Sequence, residues 1–292
     1  MCPDRAPLIA VLGSVNMDLV TTTERRPAPG ETVLGTGFRL VPGGKGANQA
    51  IAAARSSGHT VEFLGAVGDD LFAAELRRVL ADSGVGTGLL RTVAGPSGVA
   101  AIVVDGSGEN SIIVVGGANA TLTTLTAAEL DVIAKADILL CQLEIPVPTV
   151  AAAARHARAN GTMVMLNPSP AQPLPDELWA NVDIAVVNSG EAEQLGGTLD
   201  KVTHLVITQG AAGATYRGPG GESQVPSPRV EVVDTTGAGD TFTGALAAAW
   251  HRGPERALAW ASTAGALATT KLGASSSIPA RADIAAALAG EQ

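Results

Sequence analysis

The chain has 292 residues, 46% of them hydrophobic, and 28 acidic against 19 basic side chains give a formal net charge of −9. That length allows one large α/β domain, alone or with a small appendage, and that apolar content fills a core and argues against disorder. With no basic block a nucleic-acid backbone is a poor partner, and no apolar run approaches the ~20 residues that span a bilayer, so no membrane association is expected.

The opening stretch MCPDRAPLIAVLG lacks a basic region followed by a long apolar core, so no signal peptide is expected. Cys2 lies in it, and Cys141, in a later apolar run, is the only other cysteine. A disulfide framework is therefore not expected, and a reducing cytoplasm is. His59, His156, His204 and His251 are scattered without metal-ligand spacing, so zinc is not expected either. Leu8 to Leu12 reads as a strand ended by Gly13. Asn16 and Asp18 follow at its carboxyl end, where open α/β sheets place ligands. One residue apart in an extended segment, they point the same way. Such a pair suits sugar hydroxyls, since Asp accepts and Asn both donates and accepts, but it also suits a turn.

The stretch from Thr21 to Gly44 is rich in Thr, Pro and Gly and reads as two or three short strands leaving the main sheet. Ser97 to Val115 reads as a hairpin turning at Asp105–Gly108. Together, over about 16–42 and 97–117, these pieces form a small β-lid whose apolar residues need covering, as a second subunit could do. Between them, PGGKGANQAIAAARSSG is a glycine turn followed by an Ala-rich helix ending near Ser57, with Gly58 as its stop. Gly44, Lys45 and Asn48 can bind an oxygen-rich ligand, or be a turn with a solvated lysine. The spacing of a Walker P-loop is absent.

Thereafter strands alternate with helices: VEFLGAV, a helix from Asp70 to Ser83, ADILLCQL, VPTVAAAARHARANG, TMVMLN, DELWANV, DIAVVN, SGEAEQLGG and HLVITQG. This pattern predicts a single α/β domain over 1–292, a doubly wound, mostly parallel sheet flanked by helices. Glu144, Asn188 with Glu191, and Thr208 with Gly210 fall at strand ends. Each alone is an ordinary cap or turn residue, but carboxyl ends of parallel strands converge on one crevice. Gly210 and Gly213 leave room for a flat ring or a phosphate against backbone.

VVDTTGAGDTFTGALAAAW, from Val232 to Trp250, runs from a β-type segment through a glycine turn into a long small-residue helix. Gly237 and Gly239 leave the backbone uncovered, and the helix dipole favours an anion there. Asp240 falls in the first turn. Amides that stabilise a phosphoryl group beside a carboxylate that takes a hydroxyl proton are what phosphoryl transfer requires. The alternative is an ordinary helix start. A second small-residue helix, from Glu255 to about Lys271 with Gly273 as its stop, leads into KLGASSS, whose carbonyls can return towards Asp234 and hold a monovalent cation. A last Ala-rich helix ends the chain.

GSVNMD, GGKGANQA, GDD, LNPSPA, NSGE, TQGAAG and DTTGAGDTFTGA together, in this order, resemble the ribokinase-like (PfkB-type) carbohydrate kinases over nearly the whole length. The resemblance implies an α/β domain with a β-lid and a homodimer formed through it. It implies ATP-dependent phosphorylation of the 5-hydroxyl of D-ribose, with Mg²⁺ accompanying ATP and K⁺ activating. Asn16, Asp18, Gly44, Lys45, Asn48 and Glu144 match sugar-contacting positions. Asp240 matches the catalytic base, and Gly237, Ala238 and Gly239 the anion hole. Asn188, Thr208, Gln209, Gly210, Ala211, Ala212, Gly213 and Gly239 match nucleotide contacts, and Glu191 the motif linked indirectly to Mg²⁺. Asp234, Thr236, Ala268, Lys271, Gly273 and Ser277 match the loops around K⁺.

Two departures stand out. Only TLDKVT separates EQLGG from HLVITQG, where members of the family carry a further helix, so one face of the sheet is expected to lose cover. Ser262 stands where a histidine often lines the adenine pocket. The rival readings are a kinase of the same family acting on deoxyribose, fructose or a nucleoside, and a sugar- or nucleotide-binding regulatory protein of weak activity. A dinucleotide-dependent oxidoreductase lacks its G-x-G-x-x-G turn after the first strand.

Overall fold

The structure, a computed structural model, describes residues 7–290. The chain runs β1 (Leu8–Leu12), β2 (Asn16–Thr22), β3 (Gly37–Gly43), α1 (Lys45–Ser57), β4 (Thr60–Val67), α2 (Ala73–Asp82), β5 (Leu90–Thr92), β6 (Gly98–Val104), β7 (Asn110–Val115), α3 (Ala127–Lys135) and β8 (Ile138–Cys141). It continues through α4 (Val147–Ala159), β9 (Met163–Leu166), α5 (Asp176–Trp179), β10 (Ile184–Asn188), α6 (Ser189–Leu195) and β11 (His204–Thr208). It ends with β12 (Ala214–Gly218), β13 (Gly221–Val225), α7 (Ala238–Ala249), α8 (Pro254–Ala268) and α9 (Arg281–Gly290).

Among the described residues the main sheet has the order β13-β12-β11-β10-β9-β8-β1-β4-β5. Its strands pair in parallel from β5 to β11, and β12 and β13 add an antiparallel edge. The parallel strands are short β-branched and leucine-rich runs such as IAVV and ILLC, buried on both faces, as helices on both sides of a sheet require. One hydrophobic cluster lies between the sheet and α1, α7 and α8, the other between the sheet and α3 and α4. Cys141 is buried in β8, whereas Cys2 lies outside the described residues.

A second sheet, β3-β2-β6-β7, stands apart as the expected lid. Residues directly opposite one another in neighbouring strands share a face. Leu40, Leu19, Ala101 and Ile113 form one such row, and Phe38 and Val115 stand two residues along on the same side. Phe38, Leu40, Ile113 and Val115 are 64, 49, 68 and 53% exposed. For β-branched and aromatic side chains on a sheet this is a large uncovered apolar face.

Several local expectations are corrected. Val232 is not in a strand, because the N–H groups of Val233 and Asp234 that follow it both donate to the Thr269 carbonyl (2.8 and 3.0 Å) instead of to a neighbouring strand. That anchor also ends α8 at Ala268, where the Thr269 and Thr270 hydroxyls donate back to Ala266 and Leu267. Helix α2 begins at Ala73, not Asp70, since the Asp70 carboxylate caps it from outside by accepting from Phe72 and Ala73. The short segment before β11 does not leave the sheet bare. Gly196–Lys201 forms a 3₁₀ turn that inserts Leu199, 3% exposed, beside Leu195 and Val202 and over the buried Val187 and Leu205.

Candidate active site

Strand β1 lies between β4 and β8, so the winding direction of the chain reverses there and a crevice opens at the carboxyl ends of β1 and β8. Ser14 leaves one end and Glu144 the other. The Ser14 hydroxyl donates to Glu144 Oε2 (2.5 Å), and the backbone N–H of Lys45 donates to the same oxygen (3.1 Å). The carboxylate thus receives the start of α1. Gly44 before it has φ +92°, and a Cβ there would stand 2.9 Å from the Asn16 nitrogen, so only glycine fits this turn.

Asn16 and Asp18 sit on the lid strand β2. The Asn16 side-chain oxygen accepts from Asn119 Nδ2 (2.7 Å), while Asn119 Oδ1 accepts from the Val15 N–H (3.0 Å). That contact commits the Asn16 oxygen and leaves its amide group as a donor. Burial, then the charges of Glu144 and Asp240, push the Asp18 carboxyl from 3.8 up to about 7. Three acids from three distant stretches therefore share one crevice.

Asp240 lies in the first turn of α7, after Gly237 at φ +75°. A side chain at Gly237 would stand 2.9 Å from Ala274 Cα, whereas one at Gly239 would meet open space. Asp240 is buried, and both its oxygens are held by α1: Asn48 Nδ2 donates to Oδ2 (3.0 Å) and Gln49 Nε2 to Oδ1 (2.9 Å). The two helices meet here at Gly244, where a Cβ would stand 2.3 Å from the Gln49 carbonyl oxygen.

Two cavities meet at Gly239. One, of about 140 Å³, is polar, with Lys45, Asn188, Glu191, Gly237 and Asp240 in its wall. The other, of about 600 Å³, is lined by Thr208, Gly210, Ala211, Gly213, Phe242, Ser262 and neighbours. A helix leaves its first N–H groups without intrahelical partners, so the start of α7 suits a phosphate chain passing between the cavities. Lys45 works as a cation in the smaller one. Burial opposes its charge, but Asp240, Glu144 and Glu191 hold its ammonium above the ordinary lysine value.

The remaining predicted residues are spread over the strand ends and the loops around α7 and α8. Asn188 and Thr208 are register partners at the ends of β10 and β11. Asn188 and Glu191 cap α6 reciprocally, each side chain accepting from the other's N–H (2.8 and 2.9 Å). Gln209 and Ala212 are outside the cavity walls, Gln209 instead accepting from Thr215 and Gln224. Asp234 accepts from Thr236 and from the Gly273 N–H (2.9 Å), which joins the loop before α7 to the loop after α8. Burial opposes its charge, but these bonds and the nearby Arg39 hold its carboxyl below the ordinary value. Ala268 closes α8, and Lys271 and Ser277 lie in the loop beyond. Among the described residues no three His, Cys, Asp or Glu side chains cluster to hold a metal ion, and no helix is long and apolar enough to cross a membrane.

Sequence reading missed Ser14, Gln49, Asn119, Gln142 and Asn167. Ser14, Gln49 and Asn167 lie inside motifs singled out for other members. Nothing local marks Asn119 or Gln142, which act across 103 and 93 residues.

An acidic crevice, a carboxylate at its edge and a helix start leading to a nucleotide-sized cavity define a small-molecule kinase. Residues 6–281 match the model of the pfkB family carbohydrate kinases. The chain is 41% identical over 286 residues to a ribokinase of Bacillus subtilis, covering 94% of this chain and 97% of that one. Its fold is similar to those of a ribokinase from Thermotoga maritima (TM-score 0.90) and of an Arabidopsis thaliana ribokinase complexed with ribose and ATP (TM-score 0.89). Each is 32% identical, over 97% of this chain and 99% of the other. The chain belongs to the pfkB carbohydrate kinase family.

Proposed function

We propose that this protein transfers the γ-phosphoryl group of ATP to the 5-hydroxyl of D-ribose, giving ribose 5-phosphate and ADP. One observation carries the reading. Asp240 stands between the two halves of the site: its Oδ2 accepts from Asn48 of α1, the helix that starts at the Gly44–Lys45 turn, and it lines the polar cavity with Gly237 and Gly239. Asp18, the Asn16 amide, Glu144 and the Gly44–Lys45 turn hold the sugar. The buried Asn48 Oδ1 has no partner among the described residues, and a sugar hydroxyl satisfies it. Asp240 takes the proton from the attacking oxygen, while the Gly237 and Gly239 amides and Lys45 stabilise charge on the transferred group, the Ala238 N–H being held by the Thr235 carbonyl (3.2 Å). The adenine of ATP lies in the larger cavity, where the buried Ser262 hydroxyl also has no partner among the described residues.

The carboxylate of Glu191, beside Asn188 in the polar wall, fits a phosphate-bound Mg²⁺ held through water. Mg²⁺ bound with ATP neutralises phosphate charge. The loops that Asp234 and Gly273 join, with Thr236, Ala268, Lys271 and Ser277, fit K⁺ held mostly by carbonyls, which would rigidify the start of α7. The reaction belongs in a reducing cytoplasm. Coupled ADP release over D-ribose, deoxyribose, fructose and nucleosides, with and without K⁺, tests the reading. D-Ribose should give the highest kcat/KM and K⁺ should raise turnover. A better acceptor, or ribose binding without ADP release, would overturn it.

The exposed lid face supports a homodimer in which Phe38, Leu40, Ile113 and Val115 of two copies cover one another. Sedimentation should give the mass of two chains for the native protein and of one chain for Ile113→Asp. A native protein that sediments as one chain excludes the pairing.

A further inference from the structure

A carboxylate only accepts hydrogen bonds, so its partners must turn their N–H groups towards it. Asp240 therefore fixes how Gln49 lies. Gln49 Nε2 donates to Asp240 Oδ1 (2.9 Å) and also to Asn167 Oδ1 (3.0 Å), which leaves Gln49 Oε1 to accept from Gln142 Nε2 (2.6 Å). Asn167 is itself anchored, its Nδ2 donating to the Val186 carbonyl of β10 (2.8 Å). Gln49 and Gln142 are fully buried. The result is a chain of amides from the main sheet to one oxygen of Asp240, dry at Gln49 and Gln142 and reaching the polar cavity wall at Asn167.

An amide chain has two properties that suit this place. It carries no titratable group, so it does not compete for the proton that Asp240 handles. It is also anchored at both ends, at β10 through Asn167 and at the end of β8 through Gln142. With Oδ1 tied into it, the carboxylate cannot rotate without breaking buried hydrogen bonds, which is costly in a dry interior. Oδ2, held in turn by Asn48, is then fixed as well.

We infer that Gln49 is a positioning residue for the phosphoryl-transfer step, with Gln142 as its brace. Gln49 touches neither sugar nor nucleotide. It acts by keeping Asp240 aimed at the acceptor hydroxyl. The inference rests on Asp240 being the base.

The test uses the full-length protein and whichever acceptor of the panel it turns over best, so it stands apart from the choice of sugar. Gln49→Met keeps the length of the side chain and removes both polar atoms. It should lower kcat by roughly 10- to 100-fold, the scale of a misaimed catalytic group, while the acceptor KM stays within about threefold. Gln142→Met should lower kcat by about 3- to 10-fold through the same path. The double variant should then be no slower than Gln49→Met alone, because a brace has nothing to hold once Gln49 is gone. A folded Gln49→Met with native kcat overturns the inference. So does a loss confined to KM, or a double variant whose loss is the product of the two single losses. Should Gln49→Met fail to fold, Gln142→Met decides on the same split between kcat and KM, and native kcat there is equally fatal.

Discussion

Asp240→Asn should lower kcat for D-ribose by about 10²-fold or more, the scale of a lost general base, while ribose still binds. The amide has the shape of the carboxylate but cannot take a proton. Its oxygen can still accept from either Asn48 or Gln49, so the α1–α7 contact loses at most one of its two bonds there. Steady-state ADP release measures turnover, and calorimetry measures sugar affinity. Near-native turnover would remove Asp240 from the chemistry, and loss of ribose binding together with turnover would make it a sugar ligand alone.

Asp18→Asn should weaken ribose binding by about 1.5–3 kcal/mol at about pH 8, the worth of a hydrogen bond to a charged acceptor. It should also alter how stability responds to pH, and the sign follows from the crowding of acids. The native carboxyl titrates near 7 instead of 3.8 because it is buried and lies near Glu144 and Asp240. The folded chain thus holds a proton that the unfolded chain releases. The stabilising contribution of that proton is complete below pH 3.8 and is lost as the pH rises to about 7. Asparagine never ionises, so the variant should gain in Tm relative to the native protein across that window. A constant Tm difference from pH 4 to about 8 would show that Asp18 is not strained by its neighbours. Ribose hydroxyls donate to the ionised form, so native affinity should tighten as the pH passes about 7.

Much of this site is visible in the chain because its parts are local. Leu8–Leu12 is an apolar run cut by Gly13, and it forms a strand with those limits. Asp240 is marked by the glycines before it and the small residues after it. The misreadings have equally local reasons. Val232 and Val233 carry β-branched side chains, but the Thr269 carbonyl, which takes the Val233 and Asp234 N–H groups, decides their backbone. The hairpin β12–β13 escaped notice because its strands, ATYRG and GESQV, mix polar and apolar residues at an edge of the sheet. Gln49 and Gln142 escaped for a non-local reason. A glutamine in an Ala-rich helix looks like part of a solvated face, and only the approach of α7, nearly two hundred residues later, makes that face dry.

The contact at Gly244 bears on how finely the acid is placed. Packed helices ordinarily meet through side chains, and each rotamer hop there lets one helix slip a little against the other. Between Gly244 and the Gln49 carbonyl no side chain intervenes, so that slack is missing. The spacing between acid and sugar floor is therefore a matter of main-chain stiffness.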